Sequence, residues 1–263
     1  MDTSLILTLV IPYLKTLLPM GLLVFVIRSP WFKGYMGELL VRWLARMRLP
    51  RDTYIPLHNV TLPTPDGTTQ IDHIYVSRYG VFVIETKNMR GWIFGSEQQA
   101  QWTQKIYRKP FRFQNPLRQN YKHLKALEAA LDIPADRLHS VIAFVGNCDF
   151  KTEMPANVTY GRQYIDYIQS FKEPVFSEEE ISAIVERIQA SRFTPSMVTH
   201  KQHVTQLKAR SNPRADRLCP ACGKQLVVRT VKRGVRAGEQ FWGCSGYPAC
   251  RVTQQLVAGV PAN

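Results

Sequence analysis

Gln70-Ile71-Asp72-His73 and Glu85-Thr86-Lys87 decide how this chain is read, with twelve residues separating Asp72 from Glu85. The pattern is Asp-x(12)-Glu-x-Lys. Between the two groups lie Ile71, Ile74 and Val76, then Arg78-Tyr79-Gly80, then Val81-Phe82-Val83-Ile84. Apolar runs on both sides of a short polar turn predict two strands of a hairpin, with their outer ends close together. Asp72 and Glu85 could then hold one divalent cation. Lys87 lies two residues beyond Glu85, so the two side chains leave the same face of a strand. Two carboxylates and a lysine suit metal-assisted phosphodiester hydrolysis. The carboxylates hold Mg²⁺ or Mn²⁺, the cation polarises the phosphate and activates a water, and the lysine positions that water or stabilises charge. His73 adjoins Asp72 but faces the other way and reads as structural.

More of the chain follows an ordered set. Gly37-Glu38 opens a helix-like stretch, Gly91-Trp92 follows the lysine, and Asn115-Pro116-Leu117-Arg118-Gln119-Asn120 opens a second helix. Together these resemble the PD-(D/E)xK nuclease superfamily, and within it the nuclease-related domain, NERD, over roughly residues 34–170. Ile71 stands where the proline that names the superfamily would precede Asp72. The resemblance implies an α/β fold with a PD-(D/E)xK nuclease-like core, a central mixed sheet flanked by helices. It also implies a catalytic set of Glu38, Asp72, Glu85, Lys87 and Gln119, with Asp72, Glu85 and Glu38 as Mg²⁺ ligands.

The chain has 263 residues, 45% of them hydrophobic, enough for one sizeable core and a small module. Lys and Arg total 34 against 20 acidic residues, a net charge of +14 that favours polyanions. Beyond Arg192 only Asp216 and Glu239 are acidic, so much of the surplus is C-terminal. Residues 5–27 are almost unbroken apolar sequence, long enough to cross a bilayer as a helix. Lys15 in the middle would cost roughly 2.5–3.5 kcal/mol, which the surrounding Leu, Ile, Val and Phe offset. No basic residue precedes the run and no small-x-small cleavage site follows, which disfavours a signal peptide. Arg28, Lys33, Arg42, Arg46, Arg48 and Arg51 come after it, and only Asp2 is charged before it. The expectation is a single-pass protein of a bacterial-type cytoplasmic membrane, N-terminus outside and catalytic domain in the cytoplasm, with the lipid bilayer as one partner.

Residues 35–48 carry apolar positions at helical spacing, and residues 54–60 read as a strand. Asp66, before Gly67, reads as a turn residue. Further strands are expected at 92–95, 101–107 and 138–145. Asn115 and Pro116 predict a helix start, running to about Leu131, with Gln119 and His123 one turn apart. Helices are expected at 161–171 and 177–190, the second opened by a Ser177/Glu180 capping box. The domain plan is an anchor at 1–30, a nuclease-like domain at 31–191, a basic linker at 192–217 and a cysteine module at 218–263. The linker could contact phosphate or act as a solvated tether.

In the module, Cys219-Pro-Ala-Cys222-Gly223 supplies two thiolates from one tight turn, and Cys244 and Cys250 the second pair. Such a set predicts one structural Zn²⁺; disulfides are disfavoured in a reducing compartment. Cys148 is expected to be an unligated thiol. The module is also similar to the C-terminal zinc ribbons of bacterial type IA topoisomerases, through Cys219-Pro-Ala-Cys222-Gly-Lys-x-Leu-Val-x-Arg229, Gly238-x-x-Phe241-Trp242-Gly-Cys244 and Tyr247-Pro-x-Cys250-Arg251. That similarity implies binding of single-stranded DNA. Phe241, Trp242 and Tyr247 could stack on bases while Arg229, Lys232, Arg233, Arg236 and Arg251 track the backbone. Trp242 and Tyr247 could equally fill the ribbon's small core.

No P-loop, dinucleotide fingerprint, HExxH or nucleophile elbow is present. Three readings follow: a membrane-anchored, Mg²⁺-dependent nuclease with a DNA-binding ribbon; a catalytically silent membrane-tethered DNA-binding protein; and a signalling protein using the domain for protein contacts.

Overall fold

The computed structural model describes residues 3–64, 67–193, 219, 222, 224–231 and 237–255, and within the first helix the side chains of Lys15 and of residues 17–28. The expected turn at Asp66, the linker beyond residue 193, and Lys232, Arg233 and Arg236 lie outside these residues.

The first helix, α1 (Thr3–Arg28), ends where Ser29 caps the next one, α2 (Pro30–Arg48). The Ser29 hydroxyl accepts from the Phe32 N–H at 3.2 Å, and Pro30 sits at the first helical position, where its missing N–H costs nothing. Helix α2 therefore begins five residues before the apolar periodicity does. In α1 the side chains of Leu17, Leu18, Met20, Leu22, Leu23, Val24, Phe25, Val26 and Ile27 are all exposed, on every side of the helix. Among the described residues no helix is long and apolar enough to cross a membrane. The structure thus supports a long N-terminal helix with an apolar C-terminal half, and does not carry the transmembrane reading of residues 5–27.

Strands β1 (Tyr54–Thr64), β2 (Gly67–Ser77) and β3 (Gly80–Asn88) follow, then β4 (Gly91–Phe94), β5 (Gln101–Ile106) and β6 (Lys109–Gln114). Next come α3 (Pro116–Leu131), a short 3-10 turn (Ala135–Arg137), β7 (Leu138–Val145), β8 (Cys148–Phe150), β9 (Val158–Tyr160), α4 (Gln163–Gln169) and α5 (Glu178–Ser191). The ribbon contributes β10 (Leu226–Thr230), β11 (Gln240–Cys244) and β12 (Thr253–Gln255). The three sheets have the orders β1-β2-β3-β7-β9, β6-β5-β4-β8 and β10-β11-β12. In the second, β4 pairs antiparallel with β5 and parallel with β8, so α/β with mixed sheets is the observed class.

The chain divides into two compact units. One comprises Met1–Ile55, Ile84–Asn120 and Ser140–Pro174. Its core gathers Ile93, Trp102, Ile142, Phe144, Cys148 and Val158, with Trp102 stacked on Phe144 at 6.2 Å. Asn115 fixes how α3 starts in this unit. Its side-chain oxygen accepts from the Leu117 N–H at 2.9 Å, and its amide donates to the carbonyls of Ser96, Glu97 and Gln99. Every polar atom of a fully buried side chain is thereby used. In the same unit α2 passes close to the end of β3. A Cβ on Gly37 would lie 2.7 Å from Asn88 Cβ, so only glycine permits that approach, and the Asn88 amide donates to the Lys33 carbonyl at 2.6 Å. Tyr164 Oη on α4 donates to the Val41 carbonyl at 2.6 Å, one turn further along α2.

The second unit comprises Pro56–Val83, Tyr121–His139 and Val175–Asn263. Its core includes Leu62, Ile71, Ile74, Val76, Val81, Leu127, Leu131 and Ile188. The Ser177/Glu180 capping box is formed as expected, and Ser77 Oγ closes the two-residue turn to β3 by donating to the Gly80 carbonyl at 3.2 Å. His73 is fully buried, its Nδ1 3.1 Å from that of His58, which fits its structural reading.

Candidate functional site

Strand β3 delivers the first group of functional side chains. Its apolar residues from Val81 to Ile84 are fully buried, and period-2 alternation then sends Glu85 and Lys87 to one face. Lys87 Nζ donates to Glu85 Oε1 at 2.7 Å and to Gln119 Oε1, in the first turn of α3, at 2.9 Å. The Glu85 side chain is 4% exposed and that of Lys87 19%. An ammonium held between a nearly buried carboxylate and an amide oxygen is fixed in position. The ammonium also dictates the amide's orientation: Gln119 must turn its oxygen to Lys87, and its NH₂ group is left to donate elsewhere. One oxygen of Glu85 accepts from the lysine, and a carboxylate has lone pairs for further ligands.

Glu38 follows Gly37 on α2 and forms an ion pair with Arg42, one turn on, at 3.6 Å; both side chains are about a quarter exposed. This arginine was not anticipated among the site residues, although a Glu/Arg pair at i,i+4 is a recognisable helix pattern. Asp72 lies on β2 and is half-buried. Of the five residues expected to form the catalytic set, the structure joins Glu85, Lys87 and Gln119 by direct bonds.

The ribbon holds the second group. The sulfur atoms of Cys219, Cys222, Cys244 and Cys250 all lie within 4.8 Å of one another. Cys219 and Cys250 are 3.6 Å apart and Cys222 and Cys244 3.4 Å. Four sulfurs at about 2.3 Å from a tetrahedral zinc stand about 3.8 Å apart, so this cluster fits a structural Zn²⁺ with no open position. The backbone shapes each knuckle: the Gly246 N–H points at Cys244 Sγ at 3.3 Å, and the Cys219 N–H donates to the Lys224 carbonyl at 2.6 Å. Burial pushes the Cys244 thiol up to about 12, and the neighbouring thiols add to this while the Gly246 N–H opposes it. Four such thiols become thiolates when a cation supplies the compensating charge. Cys148, as expected, is outside the cluster; burial pushes its thiol up to about 11.

The aromatic residues of the ribbon divide by strand register. Trp242 is opposite Val228, shares the face of Cys244, and is buried with Leu226, Cys219 and Cys244. Of the two roles open to it, stacking on bases or filling the core, its 2% exposure fits the core. The signal was present in the sequence, because Trp242 is two residues from a cysteine that must point inward. Phe241 is half-buried on the other face, opposite Arg229. The Arg229 side chain crosses Gly243, where an added Cβ would meet its Cδ at 2.9 Å. Its guanidinium lies 5.6 Å from the ring centre of Tyr247, which is 60% exposed. Arg251 is exposed as well.

Comparison with known proteins matches the segments that carry both groups. The nuclease-related domain model, NERD, matches residues 33–145. The chain belongs to the NERD family. A second model, described as a topoisomerase DNA-binding C4 zinc finger, matches residues 216–258. The NERD chain is 39% identical over 183 residues to an uncharacterized protein of Bacillus anthracis, covering 68% of its own length and 85% of the relative. No solved structure matches it.

Proposed function

We propose that this NERD protein is a metal-dependent nuclease that hydrolyses DNA phosphodiester bonds and holds its substrate partly through the zinc ribbon. The observation that carries the reading is Lys87, fixed between Glu85 and Gln119 at the end of a buried strand. A lysine that served only as a solubilising surface group would have no need of two hydrogen bonds at 19% exposure.

Glu85 and, on sequence grounds, Asp72 and Glu38 would hold Mg²⁺ or Mn²⁺; carboxylate oxygens are the donors these hard cations take. A cation bound there would polarise the scissile phosphate and lower the pKa of a bound water. Lys87 orients the attacking water and stabilises the charge that gathers on the phosphate oxygens. The Gln119 NH₂ group donates to a water or phosphate oxygen at the first turn of α3, where the helix dipole also favours an anion. Arg42 holds Glu38 by an ion pair that a bound cation would have to outcompete. In the ribbon, Phe241 and Tyr247 offer faces for single-stranded bases, and Arg229 and Arg251 meet phosphates.

The exposed apolar half of α1 and the bases after it support a further part of the proposal, attachment of the N-terminus to a lipid bilayer with the nuclease unit in the cytoplasm. Full-length protein that stayed out of the membrane pellet without detergent would exclude attachment. The test of the activity is incubation with single- and double-stranded DNA with and without added Mg²⁺ or Mn²⁺. Metal-dependent cleavage that is lost in Asp72→Asn supports the nuclease reading. Binding without cleavage under all conditions would establish the silent, DNA-binding alternative instead.

A further inference from the structure

The sheet β6-β5-β4-β8 has one face on the core and one in solvent. Ile93, Trp102 and Phe113 point inward, the first two fully buried. Alternation therefore sends Trp92 to the outer face, where it is 45% exposed. On that face the strand register sets Lys105 directly opposite Trp92 on one side and Asp149 on the other. Lys105 Nζ is 5.7 Å from the centre of the Trp92 ring and Lys151 Nζ is 5.2 Å from it. Lys151 is held there by the ladder beyond β8, its N–H donating to the Ile93 carbonyl at 2.8 Å. Arg112 is on the same face, opposite Thr103.

Trp92 lies in a cleft also lined by Arg90, Lys105, Tyr107, Asn147 and Asp149. Tyr107, at the tip of the β5–β6 hairpin, is 93% exposed. Across residues 101–114 the chain carries Lys105, Arg108, Lys109 and Arg112 and no acidic residue. Asp149 is the acid facing the cleft, and Lys151 pairs with it at 4.0 Å. None of these residues belongs to the catalytic set or to the ribbon.

We infer that this cleft is a second nucleic-acid site, which takes an unpaired nucleotide of a single strand. Trp92 stacks on the base, the ammonium groups of Lys105 and Lys151 and the guanidinium groups of Arg90 and Arg112 meet the flanking phosphates, and Asn147 and Asp149 lie at the base edge. An exposed aromatic on a sheet face amid Lys and Arg is how single-strand binders take bases. A lipid headgroup surface is the competing occupant for basic and aromatic residues. The cleft disfavours it, because Trp92 is flanked rather than protruding and a carboxylate stands beside it. The inference rests on the reading that the protein acts on nucleic acid. It adds that the nuclease-like unit itself, and not the ribbon alone, grips the strand on a sheet that begins four residues after Lys87 in the chain.

The test uses the full-length protein without added divalent cation and a fluorescein-labelled oligothymidine carrying one 5-iodouracil. Trp92→Ala is expected to weaken binding by about 5- to 150-fold, the range for loss of one stacked base. Trp92→Phe is expected to restore most of it. Lys105→Ala with Lys151→Ala should lower the slope of log affinity against log salt by about 1.4, two phosphates at roughly 0.7 each. Photo-cross-linking followed by peptide mass analysis should recover the β4 peptide containing Trp92. Unchanged affinity in Trp92→Ala, together with cross-links confined to residues 219–255, would overturn the inference. So would loss of flotation with phosphatidylglycerol vesicles in these variants while oligothymidine binding stays intact. Because all these readouts are of binding, they stand whether or not the protein cleaves. Lys87→Ala probes cleavage separately.

Discussion

Lys87→Ala removes a group to which the structure gives a bonding role and the proposed function a second. The first is structural. The lysine neutralises Glu85, whose side chain is 4% exposed, through a 2.7 Å bond. Breaking a buried ion pair from one side costs at most about 3–5 kcal/mol. For a protein of this size, each kcal/mol moves the melting temperature by about 2–4 °C. The variant should therefore melt lower than the parent, by no more than about 20 °C. The second role, on the proposed function, is catalytic. Loss of a positioned donor near the reacting phosphate lowers the rate by about 10²–10³-fold, while DNA affinity stays within a few-fold. The two effects can be told apart with metal. If Glu85 is a ligand, Mg²⁺ replaces the missing positive charge beside it, and adding Mg²⁺ should recover melting temperature in Lys87→Ala. It should recover clearly less in the double variant Lys87→Ala with Glu85→Gln, which has lost the buried charge of Glu85. Cleavage should remain depressed in both, measured as nicking of supercoiled plasmid and of a labelled oligonucleotide. Lys87→Ala protein that cleaves DNA at the parental rate would refute the catalytic assignment. Stabilisation of the double variant by Mg²⁺ as strongly as of the single one would refute Glu85 as the ligand.

Metal analysis of the purified protein should find about one zinc per chain, and Cys222→Ser should lose it and unfold the ribbon, followed by loss of protected amides in residues 224–255. Retention of a full equivalent of zinc in that variant would place the metal elsewhere. His139 provides a pH test. It packs on Phe82 at 5.0 Å, and burial lowers its pKa below the ordinary 6.5, against the raising effects of a backbone hydrogen bond with Tyr79 and the charge of Asp136. The folded state thus binds its proton less readily than the unfolded state. Its contribution to stability is fully present above about pH 6.5 and is lost as pH falls through the folded value. His139→Gln should flatten the fall in melting temperature between about pH 6.5 and 5, and an unchanged slope would show that other groups set the acid limit.

Short-range rules made several parts of this protein readable from its residues. The alternation of β3 places Glu85 and Lys87 on one face wherever that strand lies. Asn115-Pro116 and Ser177/Glu180 specify helix starts because a cap is made by atoms two or three residues away. The cysteine pairs announce a site fit for zinc because their spacing presents thiols from two short turns. Strand β6, by contrast, carries no such local signal. Lys109–Gln114 is basic, begins Lys-Pro and is almost wholly exposed, so its sequence has no buried face to betray it; pairing with β5 makes it a strand. The bond from Lys87 to Gln119 spans 32 residues, and nothing local to either one predicts it. Trp92 reads in sequence as half of a Gly-Trp motif. Its surroundings, Lys105 from one neighbouring strand and Lys151 from beyond another, exist because three strands are laid side by side. Trp242 and Tyr247 look alike on paper, both aromatic and both near a cysteine. Strand register buries the first among the cysteines, and the turn after β11 leaves the second beside Arg229 in solvent. Local chemistry thus names the groups able to act, and long-range pairing, whose energy comes from burial shared among distant segments, decides which of them meet.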